Sequence, residues 1–310
     1  MKNIRLLFVC IYGFVFCLFS CAKEESGYID YDLSAKSKVG LNLIQKTDLF
    51  ATIFSDSAYK IAEGMEAVDI HYFSKKGLSM HIHVLEIDLT VAGVSVEVST
   101  PNNGTKFGLQ KMSEQAVFKD SETRKVRAGI NGSFFDTKTG APRGLFCKEG
   151  NVISICTDDY PNFFAITKEG KPIIATSTDY ENLKTSIYEA VGGGVLLVKE
   201  GAVVFSNDDS VNPRTCIGIS EDGSKIYALL ADGRYYTYSN GMTYQELSEC
   251  MLAIGAYYAL NLDGGGSTTY VVRSENTSSE NRFQVRNRPS ENGGMERNVA
   301  NGIVFISNND

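Results

Sequence analysis

ALNLDGGGSTTYVV, running from Ala259 to Val272, sets an apolar tetrapeptide, an Asp, three successive glycines and two hydroxyl residues ahead of a β-branched run. ALNL reads as buried and TTYVV as a strand, so the glycines mark a tight connection between two elements. Glycine lacks Cβ, which opens unusual backbone angles and lets main-chain N–H groups approach a ligand closely. A D-G-G-G-S-T loop can therefore present several donors to an anion, with Ser267 and Thr268 adding hydroxyls at the same rim. A tight turn or bulge accounts for any one such segment. Four of them, three with Asn, Asp, Ser or Thr beside the glycine, point toward a ligand site: AGINGSFFD from Ala128, VGGGVLL from Val191, YSNGMT from Tyr238, and this loop.

Upstream of the glycines the spacing predicts a helix starting at Thr243, whose side chain can cap it while Glu246 completes a capping box. Leu247, Cys250, Met251, Ile254, Tyr257 and Tyr258 fall on one face of it. A weaker helical pattern covers about Leu109 to Phe118. β-like runs stand at Ser79–Leu89, Val94–Val98, VRAGI from Val126, NVISI from Asn151, GVLLV from Gly194, CIGI from Cys216, KIYALLA from Lys225, TTYVV from Thr268 and GIVFI from Gly302. Without regular βα alternation this order predicts an α+β fold. The expectation is a mixed or antiparallel β-sheet core with a few packed helices, in a single catalytic domain over residues 61–310.

The chain begins with Lys2 and Arg5, then an apolar run from Leu6 to Phe19, the layout of a secretory signal over residues 1–20. Leu18, Phe19 and Ser20 before Cys21 resemble a lipobox, which makes Cys21 the expected lipidation site; an ordinary signal cleaved near a Cys is the alternative. Lys23, Glu24 and Glu25 resemble a short export tag of surface lipoproteins. Residues 21–60 read as a tether and lead-in, and the expected location is the outer membrane, at the cell surface or facing the periplasm. Removing residues 1–20 leaves 28 basic against 37 acidic residues, a balance that argues against nucleic acid as a partner. Cys147, Cys156, Cys216 and Cys250 form no C-x-x-C pair, so a zinc site is not expected; disulfides and buried thiols both remain open.

Arginines supply the other half of an anion site, because a guanidinium can make two charged hydrogen bonds to one phosphate. Arg143, Arg214, Arg234 and Arg288 each lie beside Gly or Pro, and Arg297 stands three residues after Gly294. Among the loop carboxylates Asp136, Asp232, Asp263 and Glu296, Asp263 stands out: it ends a buried run and opens the glycine turn. It could equally cap that turn. His81 and His83, two apart on a strand, share a face and would suit a metal or a proton shuttle, but no third ligand accompanies them. No cofactor is expected, and a divalent metal stays open. A serine hydrolase is disfavoured by the lack of a G-x-S-x-G elbow.

In order, AEGMEAVDIHY, HVLEIDL, INGSFFD, GLFCKEGNVIS, GGGVLLVKEG, NPRTCIGISEDGSKIYALLADGR, YSNGMTYQEL, ALNLDGGGSTTYVV, NRPS and MERNVANGIVFI resemble the phosphodiester glycosidase family from about Ala62 to Ile306. Ser133 stands where the family often has Gly. The resemblance implies cleavage of a sugar, N-acetylglucosamine-like, from a glycan phosphodiester at the anomeric carbon. Together the residues and the resemblance mark Asp263, Arg214 and Asn131 as catalytic candidates. Gly132, Arg143, Arg234, Ser239, Gly264, Gly265, Gly266, Ser267, Thr268 and Arg288 are the substrate-binding candidates. A non-catalytic glycan-binding lipoprotein of the same fold and a P–O-cleaving phosphodiesterase are the competing readings.

Overall fold

In the computed structural model, which describes residues 33–275 and 282–309, the capping box at Thr243 forms. The Thr243 side chain accepts from Glu246 N, and Glu246 in turn accepts from Thr243 N at 2.9 Å, opening the helix Tyr244–Ile254. The helix ends earlier than the apolar pattern suggests, because Gly255 turns left-handed at φ 116°. Tyr258, expected on the helical face, instead opens the strand Tyr258–Asn261. The weaker helical pattern is realised as Met112–Lys119. The expected signal over 1–20, Cys21 and the first part of the tether lie outside the described residues.

Every strand pairing among the described residues is antiparallel, and the α+β expectation holds. An eight-stranded sheet is centred on Ser79–Asp88, Lys225–Ala231, Arg214–Ile219 and Tyr258–Asn261, in that spatial order. A five-stranded sheet orders Phe283–Val285, Tyr270–Arg273, Val126–Asn131, Gly302–Ser307 and Val94–Ser99. A second five-stranded sheet contains Asn162–Thr167 and Ile187–Gly193. KIYALLA shows why the runs are so apolar. Ile226, Ala228 and Leu230 join one core with Ile130, Phe305 and Phe164 from the smaller sheets, while Leu229 and Ala231 join another with Leu247 and Met251 of the helix. A strand covered on both faces cannot alternate with polar residues.

A long hairpin, Phe50–Ala62 with Met65–Ser74, was not expected as strands, since the outer strand is largely exposed and carries register shifts that blur its period. It pairs into the large sheet, so the folded unit reaches back into the stretch expected as lead-in. Cys147, Cys156, Cys216 and Cys250 are all free thiols. No described helix is long and apolar enough to cross a membrane.

Candidate functional site

Asn131 ends the strand Val126–Asn131 of one sheet and Asp263 follows the strand Tyr258–Asn261 of the other, so the seam between sheets brings together residues 132 apart in sequence. Asn131 is fully buried and its amide is committed. Nδ2 donates to Asp263 O at 2.6 Å, and Oδ1 accepts from Thr215 Oγ1 at 2.8 Å and Thr269 N at 3.1 Å. Asp263 N donates to Gly132 O at 3.0 Å, completing a two-way staple. Expected to be catalytic, Asn131 thus serves to fix the backbone of Asp263. Gly132 is demanded by close packing, because a Cβ there would stand 2.2 Å from Asn301 Oδ1, the atom that accepts from Ser133 N.

The three glycines answer three separate obstacles. A Cβ on Gly264 would meet Pro213 O at 2.7 Å; Gly265 sits at φ +60°; a Cβ on Gly266 would fall 2.2 Å from the Glu291 carboxyl carbon. Most of the loop's N–H groups are already used within the protein: Gly264 N on the Asp263 carboxylate, Gly265 N on Pro213 O, Ser267 N on Gly264 O and Thr268 N on Gly265 O. The expected cradle of backbone donors is therefore not what Gly264, Gly265 and Gly266 form. Their shortness instead lets Asp263, Glu291 and Arg234 close around one short 3₁₀ turn.

What gathers there is a chain of charged groups. Ser267, fully buried, bonds to the Asp263 carboxylate, and Arg297 Nη1 donates to Ser267 Oγ at 3.2 Å. Arg297 also grips Glu291 with two forks, Nε at 2.9 Å and Nη2 as the second. Half-buried Asp263 has its carboxyl raised to about 6: burial is the largest influence, partly countered by Ser267, Gly264 N–H and Arg297, and reinforced by Glu291. A carboxylate so placed is ionised near neutral pH yet basic enough to take a proton. Glu291 escaped the sequence reading; its only signal is the E-N-G-G-M-E-R spacing to Arg297.

The exposed guanidinium of Arg234 lies over Gly265, where a Cβ would be 3.2 Å from Nη2. Its backbone is held at φ 66°, a strained conformation for a non-glycine residue, and Nη2 donates to Asn212 Oδ1 at 3.0 Å. Exposed Arg288 is stacked 4.2 Å from the Tyr235 ring centroid and 5.3 Å from that of Tyr238. Arg143, also exposed, sits on the neighbouring loop with its guanidinium 5.9 Å from the Tyr160 ring centroid. Thr268 is buried with its Oγ1 unpartnered.

Arg214 is placed differently from its expected catalytic role. Thr215 points at Asn131, so its neighbour points to the opposite face of the strand. There the Arg214 guanidinium stacks 3.8 Å from the Tyr244 ring centroid and donates to Met242 O and Ser210 O. Ser239 is likewise structural: buried, it donates to Asp232 O at 2.6 Å and accepts from His81 N at 2.9 Å. Asp136 caps a turn at Lys138 and Thr139, and Glu296 accepts from Ser113 at the start of the helix Met112–Lys119. Among the described residues no group of three or more His, Cys, Asp or Glu is arranged to hold a metal ion.

A sequence model of the phosphodiester glycosidase family matches residues 124–306, the segment that carries both sides of the seam. The bovine and human N-acetylglucosamine-1-phosphodiester alpha-N-acetylglucosaminidases align at 25% identity over 162 and 189 residues, 46% and 54% of this chain. Those alignments cover 30% and 36% of the relatives, so the chain spans about a third of the length of the curated relatives it matches. The fold is similar to that of the zebrafish enzyme of the same name, its catalytic domain auto-inhibited by a pro-peptide. The TM-score is 0.59 at 19% identity, covering 82% of this chain and 88% of that one. A hypothetical protein from Synechocystis gives a TM-score of 0.61 at 14% identity over 82% of this chain and 64% of that one.

Proposed function

The chain belongs to the phosphodiester glycosidase family, and from that premise we propose that it hydrolyses an N-acetylglucosamine-like sugar from a glycan phosphodiester at the anomeric carbon. The observation that carries this reading is the Asp263 carboxylate at the seam, bonded by Gly264 N–H and backed by Ser267 and Arg297 on a loop that Arg234 overhangs, where burial holds its carboxyl above the ordinary range, at about 6. Asp263 takes a proton from water as the water oxygen bonds to the anomeric carbon. The bond from that carbon to the phosphate oxygen breaks, and its electron pair leaves with the phosphate. A phosphomonoester has a second pKa of about 6, so it departs readily and needs a cationic partner more than a strong acid. Arg234, over the glycine turn, and Arg288, stacked on Tyr235, are exposed guanidinium groups suited to that task.

Incubation with a nitrophenyl phosphodiester of N-acetylglucosamine 1-phosphate in water enriched in oxygen-18 is expected to release free sugar carrying the label. Label in the phosphate would mean P–O cleavage, and retained binding without release would mean a glycan-binding protein. From the Leu18–Cys21 sequence pattern we also propose that the protein is held at the outer membrane through an acylated Cys21. Labelled palmitate should enter the wild-type chain in a Gram-negative host and be lost in Cys21→Ala; equal labelling of both would sink the anchor.

A further inference from the structure

The three histidines of the chain stand in one column. His71 and His81 are register partners on the adjacent strands Met65–Ser74 and Ser79–Asp88, with ring centroids 5.4 Å apart, and His83 follows on the same face 4.9 Å beyond His81. The column ends on a ring 1% exposed whose two nitrogens both face carboxylates: Nδ1 stands 2.7 Å from Asp69 Oδ1 and Nε2 3.4 Å from Asp232 Oδ2. A neutral imidazole has one N–H, so its bare nitrogen would face a carboxylate lone pair; only the cation satisfies both sides.

Asp232 is the hub of this arrangement. Besides His83 it accepts from Tyr238 OH at 3.1 Å, Asn287 Nδ2 at 2.9 Å and Arg288 N at 2.9 Å. Asn287 Nδ2 also donates to Thr268 O at 3.0 Å, and Asn287 Oδ1 accepts from Tyr270 N at 2.8 Å, which ties the end of the glycine loop to Asp232. Two residues beyond the hub, Arg234 reaches over Gly265. On the far side Asp69 is held by Arg286 at 3.1 Å and by Tyr59 OH at 3.4 Å.

We propose that His83 is a positioning residue for the site: its buried imidazolium locks Asp232, and Asp232 sets the backbone of Arg288 and the Thr268 end of the glycine loop for a phosphate-bearing substrate. This rests on the phosphodiester reading of the loop. The groups that face the ring are Asp69 from the neighbouring strand, His81 on its own strand, Asp232 and Tyr270; His71 and Tyr238 stand against His81, Tyr238 OH also bonds Asp232, and Arg286 and Tyr59 lie behind Asp69. Burial works against the charge, but the hydrogen bonds and charges of Asp232 and Asp69 outweigh it and raise His83 to about 9. His81, half-buried beside that cation, is lowered to about 4, first by desolvation and then by the His83 charge.

With three histidines in the chain, a histidine-selective nitrogen-15 spectrum at pH 7.5 is expected to show one imidazole with both nitrogens protonated and two neutral rings. The signal lost in His83→Gln identifies the cation. Calorimetric titration with inorganic phosphate should show at least about five-fold weaker binding in His83→Gln, with circular dichroism unchanged. The basic limb of the wild-type rate profile near pH 9 should vanish in the variant. A neutral His83, or equal phosphate affinity in the two chains, overturns the proposal. Absence of sugar release by the wild type would count against the glycosidase reading alone, since the spectrum and the phosphate titration are read without turnover. Should His83→Gln fail to fold, the wild-type spectrum and a phosphate titration across pH 7 to 10 decide the matter: affinity must fall as the His83 signal titrates, and constant affinity overturns the proposal.

Discussion

Asp263→Asn is expected to lower kcat on a sugar phosphodiester by about 100- to 10,000-fold, the usual worth of a positioned acid–base group, while raising the melting temperature. The two effects have one cause. Asp263 is held above its ordinary carboxyl range, at about 6, chiefly by burial. A group whose pKa is raised in the folded state supports folding while protonated and loses that support as pH climbs through the raised value. Near neutrality the ionised carboxylate is therefore a standing cost on the order of 1–2 kcal/mol after allowance for its partial exposure. Asn keeps an oxygen for Gly264 N–H and removes the charge, which predicts a rise of about 2–5 °C in Tm. Activity of the wild type should fall below pH 6 as the base is protonated. Had Asp263 merely held the turn, Asn would leave turnover near wild type; a variant both inactive and less stable would equally contradict the prediction.

The second large effect is alkaline destabilisation. His83 is raised from an ordinary histidine value of 6.5 to about 9 by Asp232 and Asp69 against the opposition of burial. Its stabilising contribution is complete below pH 6.5 and disappears as pH rises through 9, a loss of about 3 kcal/mol. His71 and His81 are both lowered, so neither gains a proton in this window and His83 is the histidine that titrates there. Urea unfolding at pH 6.5 and 9.5 should show that difference in the extrapolated free energy, and His83→Gln should flatten the dependence while being less stable at pH 6.5. Equal stability of the wild type at the two pH values would show that the ring is neutral in the folded protein.

Much of the frame was legible in local signals because they act over a few residues. Thr243 and Glu246 announced a helix start through a hydrogen-bond exchange spanning three positions. KIYALLA and GIVFI announced strands by composition. The hairpin Phe50–Ala62 with Met65–Ser74 was harder to read, since an exposed edge strand with register shifts carries no clean period. At the site, Asp263 was readable as the hinge between a buried run and a glycine turn. Glu291 and Arg297 were not legible as a pair, because what unites them with Ser267 is packing across the loop, 30 residues apart along the chain. Arg214 shows the opposite error: its Pro-Arg-Thr setting suggested an anion ligand, whereas strand alternation, with Thr215 committed to Asn131, sends the guanidinium to Tyr244. The glycines were read as a source of free donors and turn out to be clearances, each sized to a different neighbour.

The staple between Asn131 and Asp263 has a bearing on when activity can arise. Its bonds join strands of two separate sheets across 132 residues of chain, and closing so large a loop costs entropy that only late, long-range packing repays. Neither sheet alone carries the whole site: one brings the amide, the other the carboxylate, and Arg297 arrives from still later in the sequence. On the proposed glycosidase reading, a partly folded chain therefore has no partly assembled site to work with, and competence would arise in the same step that docks the sheets.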